Sequence, residues 1–251
     1  MSTWVLLRGL ARESRHWGDF PRRLAQHLPG ERVLALDLPG NGTRWRDRSR
    51  TRIAAAVEDV RTALAQAGHG PPYRLLALSM GGMAAVHWAH AHPRELEGCV
   101  LLNTSFGRFS PLWQRLRPAA VRELGSLLLR PSNALAREAA ILRLTSNRPP
   151  DAAVAQAWAQ HALSAPVTRA NVLRQLLAAA RFRAPPRAPD VPMLLLASRM
   201  DRLVSVQCSR AIAHAWRLPL REHPSAGHDL PLDDAEWVIR SILDWRDARS
   251  D

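Results

Sequence analysis

The chain contains no lysine. All 35 of its basic residues are arginine, and they outnumber the 22 acids to give a formal net charge of +13. Together with abundant alanine and proline, the choice of arginine over lysine reflects a GC-rich coding bias, but that bias does not account for the surplus over acids. Cysteine is scarce. Cys99 and Cys208 fall in an expected strand and an expected helix, so they read as free thiols, with neither a disulfide framework nor a metal site. No apolar run is long enough to span a bilayer. The opening Met-Ser-Thr-Trp-Val-Leu-Leu-Arg has no basic region ahead of its four-residue apolar run, so no signal peptide is expected, and the expected location is cytoplasmic. No nucleic-acid-binding motif is present, and the basic residues do not interleave with aromatics, which argues against a nucleic-acid partner.

What is present is a core-forming sequence. Hydrophobic residues make up 47% of 251 positions, which argues against disorder and for one domain spanning 1–251. Strand and helix patterns alternate, as in a parallel sheet covered on both faces. Strands are expected at Thr3–Arg8, Arg32–Leu38, Tyr73–Leu78, Gly98–Asn103, Pro192–Ala197 and Leu218–His223. Helices are expected at Trp17–Leu28, Ile53–Ala67, Met80–His92, Ser205–Trp216 and Asp233–Arg246. Residues 106–189 break the alternation. Their periodicity is helical (Ala119–Leu129, Ala134–Leu144, Asp151–Leu163, Thr168–Phe182), with breaks at Pro111, Pro118, Pro131, Pro149-Pro150, Pro166 and Pro185–Pro189. A helical insertion between two sheet strands is expected to pack over the carboxyl edge of the sheet, as a lid. Between Arg108 and Arg187 stand 13 arginines against Glu123, Glu138 and Asp151, most of the chain's surplus. Such a face attracts an acidic partner; the plainer reading is a solvated charge run.

Ala77-Leu78-Ser79-Met80-Gly81 lies between an expected strand and an expected helix. A serine on so sharp a turn, with small residues two places to either side, has the form of a nucleophile elbow. Ala77 and Gly81 let strand and helix backbones approach, and Gly82 is expected to add slack. A helix-capping role for Ser79 would not explain those small neighbours. Asp201 and His228 follow in the loops after the last two expected strands, giving the chain order Ser, acid, His. Asp37 is expected to bond its own turn. His87, His90 and His92 read as an exposed helix end rather than a metal set. Trp17 and Trp113 are candidates for lining an acyl pocket.

These segments resemble the α/β-hydrolase superfamily over nearly the whole chain. The resemblance rests on the elbow, on Asp37-Leu38-Pro39-Gly40-Asn41-Gly42, on Ala197-Ser198-Arg199-Met200-Asp201-Arg202-Leu203-Val204, and on Ser225-Ala226-Gly227-His228-Asp229-Leu230-Pro231. With the lid length and Leu102-Asn103-Thr104-Ser105, the chain is similar to small bacterial carboxylesterases of the pimeloyl-ACP methyl ester esterase type, which act in biotin synthesis. The resemblance implies an α/β-hydrolase fold with a mostly parallel sheet of about six strands, helices on both faces and the lid, and no cofactor. Ser79 would be the nucleophile, His228 the base and Asp201 its orienting acid. The backbone N–H groups of Met80 and Leu10 would stabilise the oxyanion. The substrate would be a small-molecule ester, or a methyl ester on an acidic acyl carrier protein docked at the basic lid. Departures are Ala77 and Ser198 where glycine is usual, and Arg8-Gly9-Leu10 where the family has His-Gly. If Arg8 points into the site, it would clamp a substrate carboxylate. The same triad would also suit a thioester, an amide or a carbon–carbon bond, and a non-catalytic binding protein is the alternative from another class.

Overall fold

Trp4 and Leu6 point to one side of the first strand and Val5 and Leu7 to the other, and all four are fully buried. A strand apolar on both faces belongs in a sheet covered on both sides. The same pattern recurs at Leu75 and Leu76, at Leu101 and Leu102, and at Leu195 and Leu196. The computed structural model describes residues 2–129 and 133–249. The strands are β1 (Thr3–Leu7), β2 (Arg32–Leu36), β3 (Tyr73–Leu78), β4 (Leu96–Leu102), β5 (Met193–Ser198) and β6 (Leu220–His223). They form one sheet in the order β2-β1-β3-β4-β5-β6, every pairing parallel. The chain winds outward in opposite directions from β1 and β3, and the carboxyl ends of these strands mark the switch point at which open α/β sheets place ligands. Leu7 of β1 is in register with Ala77 of β3, so Arg8 and Ser79 leave the sheet close together.

The helices are α1 (Phe20–Gln26), α2 (Ile53–Gln66), α3 (Met80–Ala91), α4 (Leu112–Arg115), α5 (Pro118–Leu129) and α6 (Ala134–Thr145). There follow α7 (Ala152–Ser164), α8 (Arg169–Arg181), α9 (Val206–Trp216), α10 (Leu230–Asp233) and α11 (Ala235–Asp247). Val57, Val60, Trp88, Ile212 and Trp216 bring α2, α3 and α9 onto one face of the sheet. Phe20, Leu24, Val238, Ile239 and Ile242 bring α1 and α11 onto the other. The helix expected from Trp17 is shorter. Residues Ser14–Trp17 make a 3-10 turn, Gly18 takes a left-handed φ of 55°, and α1 starts only at Phe20 with Pro21 in its first turn. The last helix is likewise interrupted at Asp234, whose carboxylate accepts from Trp237 N at 2.9 Å.

Between β4 and β5 run α4 to α8, with no strand among the described residues. Asn133, Asp151 and Thr168 cap α6, α7 and α8 with side-chain acceptors, which fixes where three of the expected helices begin. α4 is too short to show a period. The break at Pro131 lies outside the described residues. This insertion is tied to the loops that follow β1, β5 and β6 at the carboxyl edge of the sheet. Gln175 Oε1 accepts from Ala11 N at 2.8 Å, and Glu138 pairs with Arg12 at 2.6 Å. Leu203 O accepts from Arg117 N at 2.9 Å, Ser205 N donates to Gln114 O at 2.8 Å, and Asp229 N donates to Thr145 O at 2.8 Å.

Candidate active site

Ser79 sits at φ 56°, ψ −117°, a backbone region a non-glycine residue occupies only under constraint. Three hydrogen bonds supply the constraint. Ser79 N donates to Leu102 O at 2.8 Å, while its carbonyl accepts from Gly82 N at 2.9 Å and from Thr104 Oγ1 at 2.8 Å. The turn is as tight as the flanking small residues predict. A Cβ on Gly81 would lie 2.5 Å from the Leu7 carbonyl oxygen and 2.8 Å from that of Arg8. Gly82 adds no slack, contrary to expectation: a Cβ there would meet Thr104 Oγ1 at 2.5 Å, so the glycine makes room for the threonine that holds Ser79. On the other side, Gly9 is so close that a Cβ would stand 3.1 Å from Ser79 Cβ.

His228 and Asp201 come together. His228 Nδ1 is 2.7 Å from Asp201 Oδ2, and both side chains are at most 4% exposed. The other oxygen of Asp201 accepts from Leu203 N at 2.7 Å and Val204 N at 2.9 Å, so the carboxylate is oriented before it meets the ring. His228 Nε2 is buried without a hydrogen-bond partner. Among the described residues no hydrogen bond joins it to Ser79. Two bridges nonetheless fasten the histidine loop to the loops flanking the Ser79 turn, after β4 and after β1. The first is Asn103, which follows the Leu102 that accepts from Ser79. Asn103 is held at φ 44°; its Nδ2 donates to His228 O at 2.8 Å, and its Oδ1 accepts from Ser198 N at 2.8 Å. Its side chain thus ties the acid-bearing and histidine-bearing strands to the end of β4. In the sequence Asn103 stands only as the end of an expected strand and within Leu102-Asn103-Thr104-Ser105, with no role at the site.

The second bridge is Arg8. Its guanidinium is 3% exposed and grips both carboxylate oxygens of Asp229, the residue after His228, at 3.1 and 2.5 Å. It also lies 4.8 Å over the ring of Trp17. A guanidinium so engaged is not available to clamp a substrate carboxylate, so that expectation is corrected. Trp17 is corrected too: it is buried, stacked on Phe20 and covered by Arg8. Trp113 is 67% exposed on α4 rather than lining a pocket. Leu10 follows Gly9, and Met80 opens α3; their N–H groups donate to no acceptor among the described residues. Asp37 does more than bond its own turn. It accepts from Thr43 N at 2.8 Å and also from Ser14 N at 2.6 Å, bracing the loop that starts at Arg8. Among the described residues no three His, Cys, Asp or Glu side chains gather as a metal set; His92 instead meets Glu58 at 2.8 Å. Cys99 and Cys208 are free and buried.

The parallel sheet, its order and the serine at the β3–α3 turn are those of an α/β-hydrolase. Residues 2–234 match the family Hydrolase_4, serine aminopeptidase S33, and the chain belongs to it. Solved structures share the fold. The esterase RhEst1 of Rhodococcus sp. ECU1013 is 22% identical with a TM-score of 0.73, over 97% of this chain and 90% of that one. A thermophilic esterase from Thermogutta terrifontis is 22% identical with a TM-score of 0.72, over 99% and 90%. A bacterial membrane phospholipase A is 22% identical with a TM-score of 0.76, over 98% and 79%. Among curated proteins, YbdG of Bacillus subtilis (strain 168) is 28% identical over 72 residues, which are 29% of this chain and 22% of that protein. The match therefore spans about a fifth of that relative's length.

Proposed function

We propose that this hydrolase cleaves carboxylic esters through an acyl-enzyme, with Ser79 as nucleophile, His228 as base and Asp201 as the acid that orients it. The observation that carries the reading is the buried His228–Asp201 contact at 2.7 Å, with Nε2 of the same ring left free. A ring bonded at Nδ1 carries its proton there and presents Nε2 as the base. His228 would take the proton from Ser79 Oγ as that oxygen attacks the carbonyl carbon. The oxyanion that forms would be met by the N–H groups of Leu10 and Met80, which have no other acceptor among the described residues. Collapse breaks the bond to the alcohol, which leaves with the proton from His228. Water then repeats the sequence on the acyl-serine. The missing Ser79–His228 hydrogen bond does not oppose this, since such bonds are often long until substrate binds. The insertion α4–α8 would act as the lid, because it is tied to the loops after β1, β5 and β6, which carry Leu10, Asp201 and His228.

Hydrolysis of p-nitrophenyl butyrate by the wild type and Ser79→Ala tests the reading. The variant should lose roughly a millionfold in kcat. Equal turnover in both would end the nucleophile assignment, and no turnover in either would favour a binding protein. The family's description supports a second reading, cleavage of an amide bond. Faster turnover of an amino-acid p-nitroanilide than of the matching ester would favour it. The narrower substrate, a methyl ester on an acyl carrier protein, is supported by the arginine surplus between Arg108 and Arg187. Equal rates on free and carrier-linked ester, unchanged by salt, would exclude it.

A further inference from the structure

α8 turns amides inward and leucines outward. Its buried residues are Asn171, Gln175 and Ala178; the alanine packs in the core, and both amides are in use. Asn171 accepts from Ser49 N at 3.0 Å and donates to Asp47 O at 3.0 Å; Gln175 donates to Asn41 Oδ1 at 3.0 Å and Ser49 Oγ at 3.1 Å. Its outward residues are Leu173, Leu176 and Leu177, 65%, 39% and 40% exposed. The spacing i, i+3, i+4 sets these leucines in one stripe. Folding explains the inner face, because the buried amides are satisfied. It does not explain a leucine stripe facing water on a helix held this firmly.

The charge around the stripe indicates what covers it. Arg174 and Arg181, seven residues apart, lie along one edge of it. At the N-terminal end of α8 is an open cleft of about 460 Å³, lined by Arg46, Arg48 and Arg174 together with Trp45, Asp47, Thr168 and Asn171. The Arg46 guanidinium lies 4.3 Å over the Trp45 ring, and the one carboxylate of the cleft, Asp47, is engaged by Arg44 at 2.8 Å. Among the described residues, Arg46, Arg48, Arg174 and Arg181 have no carboxylate in ion-pair range. A protein partner is the weaker fit, because the leucines form a protruding row rather than a groove, and leucine is under-represented among the anchors of protein interfaces. Protruding aliphatic residues beside long cationic side chains fit the boundary between headgroups and acyl chains.

We propose that α8 and the adjoining cleft dock on an anionic phospholipid surface. Arg46, Arg48 and Arg174 receive headgroup phosphates while Leu173, Leu176 and Leu177 enter the acyl boundary. The inference does not depend on the catalytic reading, since binding is read without turnover. The full chain is co-sedimented with phosphatidylcholine vesicles, with and without phosphatidylglycerol. Binding is expected only with phosphatidylglycerol, and should weaken as salt rises. Leu173→Ser with Leu177→Ser should lower the partition coefficient by about tenfold or more. Arg46→Gln with Arg174→Gln should lower it by about fivefold per arginine. Circular dichroism and thermal unfolding show that each variant is folded. Equal binding to both vesicle types, no binding to either, or variants that bind like the wild type would overturn the proposal. So would retention on immobilised polyglutamate without vesicle binding, which would assign the face to an acidic protein.

Discussion

Arg8 stands in the loop where a substrate-facing group was expected, and its partner is 221 positions away. Taking two charges out of water is costly, and a buried pair is tolerated because each charge answers the other. Removing one partner strands the other. Arg8→Ala should therefore destabilise the protein by about 3–5 kcal/mol, leaving the Asp229 carboxylate buried and unpaired. Arg8→Ala with Asp229→Ala should recover much of that loss. Urea unfolding of the three variants measures both effects, and additive losses would show that the pair is not coupled. The same geometry predicts that Arg8→His changes the rates on neutral and acidic esters alike. A selective loss on acidic esters would return Arg8 to the substrate. None of this was legible in the sequence. The tight turn at Ser79 and the meeting of Asp201 with His228 were, because each of these residues sits just past the end of a strand, and strand ends are marked by local signals. Arg8–Asp229 and the Asn103 bridges depend on which strands become neighbours, and no local signal carries that. Gly82 was misread for the same reason, since its role is set by Thr104 in the loop after β4.

At the scale of elements, β1, β3, β4 and β5 were legible within a residue or two because each is apolar on both faces. The insertion helices were legible because side-chain caps mark several of their starts. Where Gly18 and Pro21 interrupt an apolar run, periodicity overran the true helix start. How the insertion is fastened to the loops beneath it was not legible, and it has a measurable consequence. His16 lies between the loop after β1 and α7, with its ring 5.2 Å from that of Trp158 and 5.6 Å from that of His161. Burial, then the charges of Arg12 and Arg8, hold its pKa well below the usual histidine value. Arg12 Nη1 stands 2.8 Å from Nε2, where a protonated ring would have no lone pair to offer. The unfolded chain binds this proton below about pH 6.5, and the native state does not. Stability from His16 is therefore fully present above about pH 6.5 and is lost as pH falls, at up to about 1.4 kcal/mol per pH unit. His16→Gln should flatten that part of the profile. Urea midpoints measured from about pH 7 down to about pH 5 check it, and parallel profiles for wild type and variant would refute it.

Over the whole molecule, the net charge of +13 acts on the compact state more than on the unfolded chain, because folding brings the arginines together. Salt screens that repulsion, but it also weakens surface ion pairs such as Arg22–Asp19 and Arg221–Asp244. Exposed pairs of this kind contribute about 0–1 kcal/mol each, and many contribute nothing measurable. The pairs that matter more, Arg8–Asp229 and Arg12–Glu138, are at most 12% exposed and largely escape screening. Repulsion should therefore dominate. The Tm is expected to rise by a few degrees, roughly 1 kcal/mol of stability, between low and physiological ionic strength. Chloride and sulfate at matched ionic strength should act in the same direction, with sulfate further ahead if the arginine cleft binds it. The rise should shrink in Arg46→Gln with Arg174→Gln, which removes two arginines that no carboxylate offsets among the described residues. Differential scanning fluorimetry on the wild type and this variant decides the matter. A Tm that falls with salt would mean that the exposed ion pairs, rather than the unpaired arginines, govern how the surface charge contributes to stability.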